Sequence, residues 1–316
     1  MTSRIPGRAA ALLVTAAVLW SASTYAAKIA LGSGGHSPGR FSPFTLACVR
    51  FAIGGGLLAL VALVRRRTLR VERIDVVRVV GLAVFGIATT YSVFYAGIRF
   101  TTATEGTLIF AAEPLMIAVL AALLLREKLG APRAAGLAIG FIGVYLIVER
   151  GLAPSFSGTA SANSVVLASL ALEAFAAIIG KGLTRKYDGL TVVTLEMLVG
   201  AALLVPFALR EGLSVGFALP YADAIAAMLF LATVCSALCY GIWYSQLSRF
   251  DVSAMAGFLL VQPLMGPVYG YVLLHERPGP WTWAGAALVV AGVWIVSTTG
   301  ASGRPDAPVL RAEIGV

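Results

Sequence analysis

Charge is scarce in this chain. Asp, Glu, Lys and Arg make up 12% of its 316 residues, about half the share of an ordinary soluble domain, too few to clothe a water-exposed surface. Cysteine is nearly absent: Cys48, Cys235 and Cys239 all lie inside apolar stretches. An odd number without ligand-like spacing excludes a disulfide framework and argues against a zinc site. The two histidines, His36 and His275, stand far apart, so a histidine-held metal is not expected. HExxH, GxSxG and paired helical aspartates are missing, and Gly180-Lys181-Gly182 lacks the spacing of a phosphate loop. An enzyme active site, a metal and a cofactor are therefore not expected. No link exceeds about fifteen residues, which leaves no room for a soluble domain.

What the chain has instead is apolar length. Hydrophobic residues reach 59% and the mean hydropathy is +0.89, a surplus that must face lipid. A bilayer core of about 30 Å needs ~20 helical residues. Runs near that length lie at 9–31, 44–64, 76–98, 102–125, 132–149, 162–183, 190–209, 222–246, 252–274 and 281–299. They are too long for tilted barrel strands of ~9–11 residues. The prediction is an all-α integral membrane protein with ten transmembrane helices. Arg4 and Arg8 before the first run give it the look of a signal peptide, but its apolar stretch continues past Ala26 to Leu31, which suits a spanning helix.

The net charge of +9 is carried mostly in short links, where it reports topology rather than a nucleic-acid partner. Numbering the links alternately gives one side 17 basic residues, including Arg65, Arg66, Arg67, Arg70, Arg126, Lys128, Lys181 and Lys186. The other side receives five: Arg40, Arg99, Arg150, Arg210 and Arg277. By the positive-inside rule both termini are cytoplasmic. Lys28 and Arg50 fall within helices near their outer ends, where they are expected to snorkel to the interface.

Laying residues 91–147 over 240–296, an offset of 149, pairs Tyr91 with Tyr240, Tyr95 with Tyr244 and Pro114-Leu115-Met116 with Pro263-Leu264-Met265. The same offset pairs Glu127 with Glu276 and Gly136 and Gly143 with Gly285 and Gly292. A slightly different offset sets Thr45 and Arg50 against Thr191 and Glu196. Each half then holds five helices, residues 9–149 and 162–299, followed by a short cytoplasmic tail, 300–316. Five is odd, so the two repeats are expected to be inverted, as in secondary transporters with a midplane site.

On these residues the sequence resembles the drug/metabolite transporter superfamily with two EamA-type halves. The resemblance rests on Glu113-Pro114-Leu115 and Gln262-Pro263-Leu264, on Leu-Arg-Glu-Lys-Leu-Gly at 125–130 and Leu-His-Glu-Arg-Pro-Gly at 274–279, and on the glycine-spaced helices that follow. It implies ten helices in a bacterial-type inner membrane, export of small metabolites or amino acids, and a cavity chiefly among helices one, three, four, six, eight and nine. It specifies no solute. A receptor or scaffold that binds a small ligand without net flux is the alternative, and it leaves the inverted symmetry unexplained.

Charged groups at mid-bilayer depth cost about 2.5–3.5 kcal/mol on insertion scales, so Glu113 and Glu173 are candidate proton or substrate-amine sites. The sequence sets no obvious basic residue at their depth; the bland reading is a protonated carboxyl bonded to nearby backbone. Tyr91 with Tyr95 and Tyr240 with Tyr244 put hydroxyl-bearing rings on single helix faces; with Trp20, Tyr25 and Gln262 they are candidate cavity contacts, although membrane aromatics more often pack. Pro114 and Pro263 are candidate helix breaks. Glu127 and Glu276 read as interfacial ion pairs and helix stops. The small-residue stripes of helices five and ten read as close packing within the chain or in a homodimer.

Overall fold

A computed structural model describes residues 6–33, 37–110, 112–113, 115–116, 119–120, 130–153, 158–216, 219–247, 249–250, 255 and 257–299. Pro114, Glu127 and the tail lie outside the described residues. Among those described, all regular structure is helical. The helices are α1 (Gly7–Leu31), α2 (Pro43–Val64), α3 (Arg73–Ile98), α4 (Ala103–Phe110), α5 (Ala131–Glu149), α6 (Gly158–Thr184), α7 (Gly189–Val215), α8 (Ala222–Leu247), α9 (Val261–Leu274) and α10 (Pro280–Thr299). Six of them, α1, α2, α3, α6, α7 and α8, are long and apolar enough to cross a membrane. Large apolar side chains such as Leu63, Val64, Leu209, Tyr271 and Trp294 stand exposed on helix surfaces, as a lipid-facing exterior requires. The chain is a multi-pass membrane protein.

Proline and glycine punctuate the helices as their backbone chemistry demands. Proline opens α2 and α10 and lies in the first turn of α5, where its missing N–H costs nothing. Gly32 at φ +73° ends α1, a conformation that L side chains avoid. α7 runs past the expected end at residue 209 as far as Val215. Its late turns are held because the Glu211 carboxylate accepts from Thr45 N at 3.0 Å and Thr45 Oγ1 at 3.1 Å.

Two lysines cap helix ends in matching ways. Lys28 Nζ on α1 donates to the carbonyls of Ile98, at 2.9 Å, and Thr101, beyond α3. Lys181 Nζ on α6 donates to the carbonyls of Leu247, at 3.0 Å, and Phe250, at 3.2 Å, beyond α8. Each cation satisfies carbonyls that a helix C-terminus leaves unpaired.

The glycine stripes are spent inside the chain. A Cβ on Gly143 would lie 2.6 Å from the Gly285 carbonyl oxygen, and one on Gly292 would lie 2.6 Å from that of Gly136. α5 and α10 therefore pack backbone to backbone. α2 and α7 form a second close pair, with Gly55 against Met197 and Leu198.

Candidate functional site

Helices α1, α2, α3, α6, α7 and α8, with residues of α4 and α9, enclose a cavity of about 110 Å³, several times the ~10–15 Å³ that one water needs. Glu113, Glu173, Tyr91, Tyr240, Tyr244, Trp20 and Gln262, all anticipated from the sequence, line it. Glu196 and Arg50 line it as well. Helices two and seven thus belong to the cavity in addition to those the resemblance implied.

Arg50 overturns its expected place. It does not snorkel to an interface: it is 2% exposed and faces the same cavity as Glu113 and Glu173, which therefore share their cavity with a cation. Its Nε donates to Ser236 Oγ at 2.8 Å and its Nη1 to Tyr95 OH at 2.7 Å. Gly54, one turn further along α2, lets α8 come close, since a Cβ there would sit 2.8 Å from Ser236 Cβ. The guanidinium also lies over the rings of Phe51 and Tyr91, 4.8 Å and 4.7 Å from their centroids, an attraction that strengthens away from water.

From Tyr91 the polar contacts continue inward. Tyr91 OH and Tyr240 OH share a hydrogen bond of 2.6 Å, and Tyr240 OH donates to Glu173 Oε1 at 3.3 Å. Glu173 Oε2 is buried without a hydrogen-bond partner among the described residues. Glu113 makes no hydrogen bond to a described residue. Tyr244 OH donates to Glu196 Oε2 at 2.6 Å. Trp20 forms a wall, with its indole N–H on the Cys235 carbonyl at 2.8 Å and its ring 5.1 Å from that of Tyr240.

Two π-helical stretches shape these positions: Val84–Thr89 in α3 and Leu231–Tyr240 in α8. Wider turns of this kind free carbonyls and redirect side chains, and they recur at functional sites. Gly86 lies in the first stretch, and a Cβ there would meet Glu196 Oε1 and the Ala176 Cβ, the latter at 3.2 Å. Gly86→Ala is expected to push the Glu196 carboxylate off Tyr244. Solute affinity should fall about tenfold, the scale of one charged hydrogen bond, while the melting midpoint stays within about 2 °C. An affinity equal to that of the unaltered protein would show that Glu196 takes no part in binding.

Other candidates go elsewhere. Tyr95 stands behind the cavity wall and holds Arg50. Tyr25 is outside the lining, buried among α4 and α9 with its hydroxyl bonded to Thr104 Oγ1 at 3.2 Å and to the Gly266 carbonyl. Glu276 is no ion-pair partner of its neighbours: it accepts from Ala103 N at 2.7 Å and Thr104 N at 2.9 Å, capping the start of α4. Pro263 falls in the first turn of α9, just after the 3₁₀ segment Gly257–Leu260. Among the described residues, Pro206 and Pro267 lie inside helices. At the same end as Tyr25, the buried Glu105 receives Arg150 Nε at 2.5 Å and Nη2 at 2.7 Å. That carboxylate holds the Arg150 guanidinium further above its usual range.

The profile of the EamA-like transporter family matches this chain twice, over residues 7–149 and 160–298. The chain belongs to that family. This EamA-like protein is 27% identical over 290 residues to an uncharacterised transporter of Archaeoglobus fulgidus, covering 90% of the chain and 96% of the relative. It is 27% identical over 286 residues to a protein of Streptantibioticus cattleyicolor described as a probable terminal-alkyne amino-acid exporter, covering 90% and 92%. A solved crystal structure shares its fold at TM-score 0.67 and 21% identity, over 92% of this chain and 99% of the other. Both of these relatives are described as transport proteins.

Proposed function

We propose that this EamA-like protein is a secondary transporter that exports small metabolites or amino acids across the plasma membrane of a bacterial-type cell. Ten transmembrane helices form two inverted repeats, 9–149 and 162–299, with both termini cytoplasmic, and rocking of the halves gives alternating access to the central cavity. The observation that carries the reading is the cavity itself: three carboxylates and one guanidinium, contributed by both halves, gathered among apolar spans. Such groups are costly in a membrane unless a pathway uses them. The matched lysine caps support the repeat, because Ile98 and Thr101 become Leu247 and Phe250 under the same offset of 149 that pairs Tyr91 with Tyr240. The similarity to an amino-acid exporter supports the solute class. A homodimer would use faces other than the glycine stripes, which α5 and α10 consume against each other.

Proton coupling is assigned to Glu113 and Glu173: Glu113 makes no hydrogen bond to a described residue and Glu173 Oε2 has no partner among them, whereas Glu196 is tied to Tyr244. Glu113→Gln keeps the shape and removes the titration. It is expected to abolish flux driven by an imposed pH gradient in proteoliposomes while leaving the protein folded. Unchanged flux with a preserved pH response would remove Glu113 from the mechanism.

A further inference from the structure

Two orphaned groups of opposite sign face the cavity. Arg50 is a buried cation whose partners among the described residues are the hydroxyls of Ser236 and Tyr95 and the faces of two aromatic rings, all neutral. No carboxylate of the described residues lies within ion-pair distance of it. Glu173 presents a buried oxygen with no donor among the described residues. Leaving a charge or a carboxylate oxygen unpaired in a dry site is costly, and the cost is recovered when a ligand supplies the missing partners. Tyr91 stands between the two groups, its ring face under the Arg50 guanidinium and its hydroxyl joined to that of Tyr240, which donates to Glu173. Trp20, Phe94 and Phe110 add aromatic lining, Trp20 packed against the Tyr240 ring and Phe94 against that of Tyr91.

We propose that the solute is a zwitterion with an apolar or aromatic body, its carboxylate bound at Arg50 and its ammonium at Glu173. This rests on the transporter reading for its setting and names the solute class within it. A lone organic cation would satisfy Glu173 and leave Arg50 unanswered. A lone carboxylate would do the reverse.

The test measures binding to the purified full-length protein with four probes that share a phenyl body. Phenylalanine and 4-amino-3-phenylbutanoate are zwitterions with short and long charge separation; phenethylamine is the cation and 3-phenylpropionate the anion. At least one zwitterion is expected to bind about tenfold or more tightly than either single-charge probe. Arg50→Gln should erase the advantage over phenethylamine, and Arg50→Lys should restore part of it. Glu173→Gln should erase the advantage over 3-phenylpropionate, with thermal melts confirming that each variant is folded. Equal binding of phenethylamine and both zwitterions, an Arg50→Gln variant with unchanged preference, or no binding by any probe would overturn the assignment. Proteoliposome flux of the preferred probe separates this from the setting. Preference without flux would sink the transport reading alone, and flux without preference would sink the ligand assignment alone.

Discussion

Gly143→Leu is expected to prevent accumulation of folded protein. At this position even a methyl group would meet the Gly285 carbonyl oxygen at 2.6 Å and the Val289 amide nitrogen at 2.7 Å. Both are backbone atoms, which cannot rotate aside. Overpacking a core with flexible neighbours costs about 1–3 kcal/mol; forcing four carbons between two helix backbones costs more, because α5 and α10 must separate along their length and lose the close contacts that hold membrane helices together. The seam is the broad contact between segment 131–149 and segment 280–299, so its loss also uncouples the ends of the two halves. Gly56→Leu is the matched control: a Cβ on Gly56 meets nothing within 4 Å. Fluorescence-detected size exclusion of tagged variants should give a monodisperse peak for Gly56→Leu and none for Gly143→Leu. Equal peaks would mean that the helices separate at little cost.

Arg50→Met separates function from stability. Truncating one partner of a buried, hydrogen-bonded charge costs about 2–5 kcal/mol of binding, so flux of the native solute is expected to fall about 30-fold or more. Folding has a different ledger. An apolar side chain of similar length removes a buried charge along with its bonds to Ser236 and Tyr95, and such exchanges are often neutral or stabilising. The melting midpoint should hold or rise while transport is lost. Loss of both would place Arg50 among structural residues and would take the positive pole out of the cavity's chemistry.

Much of this fold is legible in the sequence. The limits of the runs that became α2, α3, α5, α8 and α10 lie within three residues of the helices, since a lipid-facing segment must be both apolar and helical. Glu113, Glu173, Tyr91, Tyr240, Tyr244, Trp20 and Gln262 all reach the cavity for the same reason: polar groups in a membrane have few other places to go. Arg50 is buried despite its place near a helix end, because Gly54 draws α8 over it and Ser236 and Tyr95 hold it in. Its alignment with Glu196, a second charged residue inside an apolar run, is the signal in the sequence that marks it. Tyr25 is five residues from Trp20, about 140° around α1, and its hydroxyl meets Thr104 and Gly266 instead of the cavity. The π-helical stretches leave no pattern in a single sequence, because their cause is packing between helices rather than residue type.

The most direct test of the central claim is solute counterflow in proteoliposomes holding the purified protein, with labelled amino acids, amines and small metabolites, in the presence and absence of an imposed pH gradient. The account predicts saturable exchange of at least one zwitterionic solute, strengthened by the gradient and lost in Arg50→Met. Saturable binding of such a solute with no movement across the bilayer would contradict it and would make the protein a receptor.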